Sequence, residues 1–385
     1  MMETRKVLVV GMIDSIHLAR WLAQFVNYKI EFVILPSKKF KIVHPDITKL
    51  LNSNDQAKYS LVKPYYPSWL LGFIDYGIVN FLKIFGIKWR SYLLNRTLLK
   101  NTFNYLHAIE IQGAGYLCTS VPESRFEHLN LIITNYGNDI FYFQNFSGHL
   151  LKIKEVLSLA HKYSAECSRD YELAIKYGFE GDFLPLIPNS GGVPEEVFRM
   201  NATPANKRNL IVAKCYGGEL GLGHLIIDSL SVFLTTNSSV EVLIHSVTED
   251  LIEKSEQLRI QYPSQVKIFT VKNKIPRIKL IDYLSKSRIY VGACKSDGIS
   301  TSFLEAICLG AYPIQTNTSC AIDWINLGFK GSIVEPEKNS ILTALEKAYT
   351  SCELEDFRQI NLKKAREFLN FNEIKNHALQ FYGLR

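Results

Sequence analysis

The sequence predicts an α/β protein of two domains, each built around a parallel β-sheet. At 385 residues the chain is longer than a single hydrophobic core usually serves, so two domains are expected. One segment near each end of the chain has the pattern of a strand, a helix and a second strand. Such a unit crosses over with the right hand, and its two strands are therefore predicted to be parallel.

The first of these segments opens the chain. Val7–Val10 predicts a buried strand, and Gly11 ends it. Asp14 or Ser15 is expected to cap the helix that follows, and Tyr28–Leu35 predicts the next strand. The loop has Gly11 alone and not G-x-G-x-x-G, so the dinucleotide-binding fingerprint is absent.

The second segment is the one around which the chain is organised. Arg288–Ala293 predicts a buried strand and Tyr312–Gln315 predicts the next one. Apolar residues at helical spacing lie between them and predict a helix. Its N-cap is expected at Ser300 or Thr301, and Gly310 follows its last apolar turn.

Two carboxylates belong to this second segment. Asp297 lies in the loop after the strand, and Glu305 lies one to two turns into the helix. The residues between them include Gly298, Ser300 and Thr301, which let a ligand approach the backbone. A helix N-terminus suits a phosphate, and a nearby carboxylate can accept hydrogen bonds from sugar hydroxyls. The residues alone predict either a site for a phosphorylated sugar or an ordinary unit with an acidic surface helix.

The rest of the chain supplies further strands and a boundary. Asn, Gly and Pro cluster at Asn189–Pro194, which predicts the domain boundary, and Phe371–Tyr382 predicts a terminal helix. We therefore expect domains at residues 1–188 and 189–370, followed by a C-terminal helix at 371–385. Apolar runs predict strands at Leu106–Ile111, Leu131–Thr134, Leu210–Ala213, Val240–Ser246 and Val266–Thr270.

Composition indicates an ordinary globular protein. Hydrophobic residues make up 47% of the chain and charged residues 21%, and no run of 18 apolar residues occurs. The seven cysteines are scattered, odd in number and contain no CxxC pair, which favours a reducing compartment and argues against disulfides and structural zinc. A cytoplasmic location is the prediction, and no nucleic-acid partner is expected.

Positive charge is concentrated in residues 38–100. This window holds eleven lysines and arginines against three aspartates, a net charge of +8, whereas the whole chain carries +7. Residues 65–100 are also aromatic, and the nearly apolar run Trp69–Leu82 is too short to span a membrane. Two interpretations remain: a buried helical pair, or attachment to an anionic surface at the inner face of the membrane.

The carboxylate spacing resembles a known family. Asp297-x7-Glu305, followed by Gly310–Pro313, is similar to the E-x7-E region of retaining family 4 glycosyltransferases of the GT-B fold. Aspartate takes the first position here, a shorter arm with the same charge. Asp14–Trp21 and Tyr163–Asp170 resemble the members of that family that build bacterial surface polysaccharides.

The resemblance implies two Rossmann-like domains that face each other across a cleft. It also implies transfer of a hexose-like sugar, with retention, from a UDP- or GDP-linked donor to a saccharide or lipid-linked saccharide acceptor. No cofactor is implied. The chain contains no Asp-x-Asp sequence, so no bound metal is expected.

Site residues follow from the same resemblance. In the family the first carboxylate contacts the donor sugar and the second contacts the nucleotide ribose, so Asp297 is a catalytic candidate, and Asp139 is another. Asp14 and His17 are expected at the acceptor. The donor site implied by the resemblance comprises Glu305, Gly298, Ser300, Thr301, Lys214 and Gly11.

Several of these residues also have structural interpretations, and the chain departs from the family in two places. His17 could be a hydrogen-bonded helix residue, Asp139 a helix cap and Lys214 a solvated lysine at a strand end. Tyr136 stands where many relatives have a histidine that approaches the sugar. Relatives usually have a second cation here that neutralises the diphosphate. It is either missing in this chain or supplied from elsewhere, because no Lys or Arg occurs from Cys215 to Asp228.

Two other functions remain open at this point. Another GT-B enzyme, such as a nucleotide-sugar epimerase or a phosphorylase, would share the donor site. A non-catalytic protein that binds nucleotide-sugars without turnover is the second, and it is suggested by the two departures from the family pattern.

Overall fold

The computed structural model describes residues 4–40, 42–62, 89–200 and 203–385. The chain divides into two units, Met1–Gly191 with Lys375–Arg385, and Gly192–Ile374. Each unit contains one parallel sheet covered by helices. Strands buried on both faces need apolar residues at nearly every position, which explains the continuous apolar runs in the sequence.

The first unit contains a seven-stranded parallel sheet with the strand order β3-β2-β1-β4-β5-β6-β7. Val7, Leu8, Val9 and Val10 of its central strand are fully buried. The strands are β1 (Arg5–Gly11), β2 (Ile30–Pro36), β3 (Lys58–Leu61), β4 (Tyr105–Ile109), β5 (Asn130–Thr134), β6 (Lys162–Ser164) and β7 (Asp182–Phe183).

Helices of the first unit connect these strands. Ser15 caps the first of them and accepts a hydrogen bond from the backbone N–H of His17 at 3.2 Å. The described helices are Ile16–Ala23, Pro45–Leu51, Trp89–Lys100, Tyr116–Cys118, Ser147–Leu159 and Ser168–Lys176, with a π-helical turn at Ile111–Gly115.

The second unit repeats the architecture with a six-stranded parallel sheet in the order β10-β9-β8-β11-β12-β13. The strands are β8 (Leu210–Lys214), β9 (Glu241–Val247), β10 (Val266–Thr270), β11 (Ser287–Gly292), β12 (Tyr312–Thr316) and β13 (Ser332–Val334). The helices are Glu195–Phe198, Gly223–Phe233, Ile252–Gln261, Arg277–Lys286, Thr301–Cys308, Ala321–Asn326, Lys338–Thr350 and Leu354–Phe368.

The C-terminal helix Phe371–Gln380 begins in the second unit, and the chain rejoins the first unit at Lys375. Tyr382 is fully buried in the first unit. Its hydroxyl accepts a hydrogen bond from Nε1 of Trp21 at 3.0 Å and lies 2.7 Å from Nδ1 of His107. The observed units place their first boundary at residues 191/192, whereas the sequence placed it at 188/189.

The predicted strand Leu106–Ile111 is too long at its carboxyl end. In the structure β4 ends at Ile109, and Glu110 adopts a φ of 90° before the π-helical turn. The apolar Ile111 continued the strand pattern in the sequence, but its backbone N–H bonds to a side chain and not to a neighbouring strand. The apolar pattern of the sequence therefore does not predict that the strand ends before Glu110.

In each sheet the chain first adds strands on one side of its first strand and then continues on the other side of that strand. The reversal lies between β1 and β4 in the first unit and between β8 and β11 in the second. Open parallel sheets bind ligands at such a switch point, beyond the carboxyl ends of the strands. We therefore expect the site residues to lie at these two switch points.

Part of the basic aromatic segment at residues 65–100 lies outside the described residues. The part from residue 89 onward is the helix Trp89–Lys100, in which Leu93 and Leu94 are buried and Leu99 is exposed. Within the four ranges that the structure describes, no helix combines the length and the apolar character needed to cross a membrane.

Candidate active site

The switch point of the second unit brings Lys214 to the predicted helix N-terminus. Lys214 is the last residue of β8 and is the register partner of Gly292, the last residue of β11. Its Nζ donates a hydrogen bond to Oγ of Ser300 at 3.2 Å and lies 5.2 Å from the centre of the Tyr216 ring. Lys214 and Ser300 are 86 residues apart in sequence, and the reversal of strand order makes them neighbours.

Ser300 is the N-cap of the helix Thr301–Cys308, as the sequence predicts. Its backbone is extended, and no hydrogen bond from its side chain caps the helix. The hydroxyl instead lies between Lys214 and the hydroxyl of Tyr290, 3.5 Å away. Gly310 ends the helix with a φ of 78°, a left-handed conformation that favours glycine.

Asp297 lies half-buried in the loop between β11 and this helix. Its charge is close enough to Tyr216 and Tyr290 to contribute to the raised pKa of both phenols, for which burial is the larger cause. The neighbouring Gly298 is buried, and its carbonyl accepts a hydrogen bond from the backbone N–H of Cys320 at 2.9 Å. This backbone contact holds the loop at Gly298, and both Asp297 and Lys214 lie near Tyr216.

Glu305 is buried one turn into the helix and forms an ion pair. Its Oε1 accepts a hydrogen bond from Nη2 of Arg277 at 2.6 Å. The Glu305 side chain is 6% exposed, whereas that of Arg277 is 52% exposed. Arg277 was not among the residues selected from the sequence, since a basic residue at the start of a surface helix is an ordinary feature.

The glycine-rich loop after β8 is closed by its own contacts. The backbone N–H groups of Gly217 and Gly218 donate to Oγ1 of Thr248 and Oδ2 of Asp250, at 2.8 and 2.9 Å. A Cβ at Gly217 would lie 2.1 Å from the Asp250 carboxylate, and a Cβ at Gly221 would lie 2.1 Å from the Tyr216 carbonyl. Close packing of the loop therefore explains these two glycines.

His245 adds a polar group beside Lys214 that the sequence did not suggest. It is the register partner of Lys214 on β9 and is 3% exposed. Nδ1 lies 2.9 Å from Oγ of Ser246, while Nε2 has no hydrogen-bond partner among the described residues. Burial lowers the pKa of the imidazole to about 3, so the ring is neutral at physiological pH.

The switch point of the first unit gathers the predicted acceptor residues. Gly11 ends β1, and its carbonyl accepts the backbone N–H of Ser37 at 2.9 Å, which joins the loops after β1 and β2. Asp14 is exposed in the β1 loop. The ring of His17 lies 6.0 Å from that of Tyr136, which follows β5.

Asp139 is held inside this edge by backbone groups. Its Oδ2 accepts the N–H of Ile111 at 2.8 Å and the N–H of Tyr136 at 3.1 Å. The residue is 6% exposed, and burial raises the pKa of its carboxyl to about 8. These contacts favour the capping role that the sequence left open, because Asp139 joins the loops after β4 and β5.

The Tyr163–Asp170 segment supports the loop that carries Tyr136. Oδ2 of the fully buried Asp170 accepts a hydrogen bond from Nδ2 of Asn135 at 2.7 Å. Arg169 binds Oδ1 of Asp170 at 2.9 Å and donates from Nη2 to the Gly137 carbonyl at 2.9 Å. The segment therefore positions the residues before Asp139 through buried charge-assisted hydrogen bonds.

No protein-family model matches the chain, and no curated protein sequence matches it. Solved structures do resemble it. Anabaena HepE in complex with UDP has a TM-score of 0.70 at 11% identity and covers 98% of this chain and 99% of its own. α,α-Trehalose 6-phosphate synthase from Burkholderia multivorans has a TM-score of 0.70 at 9% identity, with 99% and 97% covered.

Sucrose-phosphate synthase from Thermosynechococcus elongatus is similar as well. Its TM-score is 0.66 at 13% identity, and 98% of each chain is covered. Identities this low establish the fold and leave the activity to the site residues. The predicted fold class is confirmed over almost the whole chain: this protein has two Rossmann-like α/β domains of the GT-B type.

Proposed function

We propose that this protein is a retaining glycosyltransferase that moves a sugar from a nucleotide-sugar to a saccharide or lipid-linked saccharide acceptor. The observation that carries the proposal is the hydrogen bond from Lys214 to Ser300 at the switch point of the second unit. It places an ammonium group at the N-terminus of the helix that also holds Glu305. Solved structures of HepE contain UDP, UDP-glucose, or UDP with glucose, which supports UDP-linked donors as the first to test.

The donor would be held along this one helix. The diphosphate lies at the N-terminal N–H groups of Ser300 and Thr301, with Lys214 as counter-ion, while Glu305 accepts hydrogen bonds from the ribose hydroxyls. An ammonium about 4 Å from one phosphate charge contributes roughly 4 kcal/mol at an effective dielectric constant of 20. His245 adds a neutral hydrogen-bond donor beside Lys214.

The reaction requires little acid–base chemistry from the protein. The bond from the anomeric carbon to the phosphate oxygen breaks, and the acceptor oxygen forms its bond on the same face. The proton of the acceptor hydroxyl passes to the departing phosphate oxygen. Asp297, in the loop ahead of the phosphates, orients the transferring sugar, and Lys214 with the helix N-terminus stabilises the charge that develops on the leaving group.

The acceptor is assigned to the switch point of the first unit. Asp14 and His17 present a carboxylate and an imidazole beside Tyr136. Tyr136 is half-buried, and desolvation of its hydroxyl raises its pKa well above the ordinary value, so it acts as a neutral hydrogen-bonding group. A lipid-linked acceptor would be presented at an anionic membrane surface through the basic segment at residues 65–100.

Differential scanning fluorimetry with UDP, GDP, UDP-glucose and GDP-mannose tests the donor assignment. A ligand present at 100 times its Kd stabilises the folded state by about 2.7 kcal/mol, so a true donor raises Tm clearly. No shift with any of the four at millimolar concentration would count against the proposal. NMR of the product anomer then tests retention, and an assay in EDTA tests metal independence.

The alternatives make different products. An epimerase would change UDP-sugar with no acceptor present, and a phosphorylase would require inorganic phosphate. A non-catalytic binder would show a Tm shift with a donor but no release of nucleoside diphosphate with any acceptor. Product analysis of the same donor incubated with buffer, with phosphate and with a saccharide mixture separates the three.

A further inference from the structure

Glu110 adopts a backbone conformation that a glutamate normally avoids. Its φ is 90° and its ψ is 143°, a region populated almost only by glycine. Among the described residues, Ser246 is the one other non-glycine residue with a positive φ. Strain of this kind is kept where the surrounding structure imposes it, and it concentrates at functional sites.

Three hydrogen bonds impose the conformation. The Glu110 N–H donates to the carbonyl of Thr134 at 3.1 Å, and the Glu110 carbonyl accepts the N–H of Gly115 at 3.0 Å. The next N–H, that of Ile111, is taken by Asp139 at 2.8 Å. Glycine would satisfy the same three bonds without strain, so the glutamate side chain needs its own explanation.

The surroundings are shaped around the Glu110 carboxylate. Oε1 accepts a hydrogen bond from Oγ of Ser37 at 2.9 Å, and the N–H of Gly113 also bonds to the carboxylate. A Cβ at Gly113 would lie 2.2 Å from Oε1, so any side chain at that position would displace the carboxylate. Two loops thus hold the carboxylate, while Glu110 keeps 8% of its surface exposed.

The position is the switch point of the first unit. Glu110 directly follows β4, and Asp14 follows the neighbouring strand β1. The charged and titratable groups around the carboxylate are Asp14, Lys38, Asp139 and Tyr136. Asp14 and Tyr136 belong to the loops assigned to the acceptor, and Asp139 supports those loops.

We propose that Glu110 binds the acceptor, its carboxylate receiving hydrogen bonds from saccharide hydroxyls. This assignment rests on the proposed function and adds a residue that the sequence pattern placed within a strand. A carboxylate can accept about four hydrogen bonds, and Ser37 with Gly113 accounts for two. Sugars with vicinal hydroxyls fit such a group, because two donors can bind one carboxylate.

The alternative is that Glu110 is only a link between the loops after β2 and β4. Stability separates the two roles. Burial raises the pKa of the Glu110 carboxyl, so the charge is costly to keep, and the backbone strain adds to the cost. Removing a residue kept for function commonly stabilises a protein, whereas removing a structural link destabilises it.

The experiment uses the full chain with Glu110→Gln, Glu110→Gly and, as a control on an exposed carboxylate, Glu127→Gln. Saturation-transfer NMR is recorded with UDP present and with methyl α-D-glucopyranoside, methyl β-D-galactopyranoside and methyl N-acetyl-β-D-glucosaminide as probes. We expect at least one glycoside to bind the wild type and the Glu127 variant, and at least tenfold weaker binding to both Glu110 variants. UDP affinity should change less than twofold.

Thermal unfolding of the same variants supplies the second readout. We expect Glu110→Gly to raise Tm by about 2–4 °C, because it relieves the strain at φ 90°. The proposal is overturned if no glycoside contacts the wild type, if the Glu110 variants retain glycoside binding, or if both lose Tm together with glycoside and UDP binding. A wild type that does not bind UDP would instead contradict the donor assignment and leave the glycoside result to decide on Glu110.

Discussion

Arg277 donates a hydrogen bond from Nη2 to Oε1 of Glu305 across 2.6 Å and so joins the helices Arg277–Lys286 and Thr301–Cys308. A charged group as buried as Glu305 requires such a partner, because an isolated charge in the interior is costly. The pair fixes the carboxylate that we propose binds the ribose. In the proposed donor site Arg277 is therefore a positioning residue.

Glu305→Gln keeps the size of the side chain and removes its charge. We expect the affinity for UDP to fall by roughly 1–3 kcal/mol, the range of a charge-assisted hydrogen bond. Arg277→Gln should weaken UDP binding less and lower the unfolding free energy by about 1–2 kcal/mol, since Arg277 is half-exposed and solvent screens the pair. Calorimetry with UDP and with uridine checks both variants, and an unchanged UDP affinity in Glu305→Gln would exclude the ribose assignment.

Lys214→Gln removes the ammonium at the helix N-terminus. The affinity for UDP is expected to fall by about 1.5–3 kcal/mol while the affinity for uridine stays nearly constant, because the charge acts on the phosphates alone. Lys267→Gln is a matched control, since Lys267 is an exposed lysine of the same unit. Equal losses for UDP and uridine would show that Lys214 supports the fold of the site rather than the diphosphate.

Asp297→Asn should separate turnover from binding. Asp297 lies in the loop ahead of the helix that we propose holds the phosphates, so it is expected to contact the transferring sugar. We expect turnover of the donor identified by the fluorimetry to fall at least a hundredfold and the Kd for UDP to change less than threefold. A proportional loss of both would assign Asp297 to donor binding in general.

Asp139→Asn should change how stability depends on pH. Burial raises the pKa of Asp139 to about 8 in the folded protein, against about 3.9 in an unfolded chain. The folded state therefore retains a proton that the unfolded state releases. The contribution of this proton to the free energy of unfolding is complete below about pH 4. It is lost as pH rises to 8, at up to about 1.4 kcal/mol per pH unit.

Asparagine does not titrate, so the free energy of unfolding of the variant should rise steadily relative to that of the wild type between pH 4 and 8. Its Oδ1 can accept the N–H groups of Ile111 and Tyr136 that now bind one carboxylate oxygen. Denaturant unfolding at pH 5, 6.5 and 8 measures the difference. A constant difference at the three values would contradict a raised pKa.

The basic segment predicts a salt-sensitive membrane attachment. Lys83, Lys88, Arg90 and Arg96 each contribute about 1 kcal/mol near an anionic surface, or roughly 4 kcal/mol together before ordering costs. The protein should sediment with phosphatidylserine-containing vesicles at low salt and be released at high salt, and replacing the four by Gln should abolish this while UDP affinity stays intact. The same number of positive charges is removed in a control in which the exposed Lys267, Lys272, Lys279 and Lys286 are changed to Gln. A wild type that ignores anionic vesicles at low salt would mean that the acceptor is not presented at such a surface.

Local chemistry was readable in the sequence. The Ser300 N-cap, the helix Thr301–Cys308 and the stop at Gly310 agree with prediction, because capping and left-handed turns depend on residues a few positions apart. The central buried strands were equally visible as apolar runs, although most of their ends moved by one or two residues, whereas β3, β6, β7 and β13 were not predicted. The Asp297-x7-Glu305 spacing placed both carboxylates on one loop and helix for the same local reason.

What the sequence by itself determined, then, is the α/β class, the two sheets and the loop with its helix at residues 295–310. The tertiary structure alone decided which distant residues meet. Strand order places Lys214 against Ser300, and helix packing brings Arg277 to Glu305. The strained φ of Glu110 arises from its own hydrogen bonds with Thr134 and Gly115 and from the bond between Ile111 and Asp139. Thr134 and Asp139 are remote in sequence, so no local pattern predicts the strain. Spacing encodes contacts within one element, whereas contacts between elements depend on the topology of the sheet.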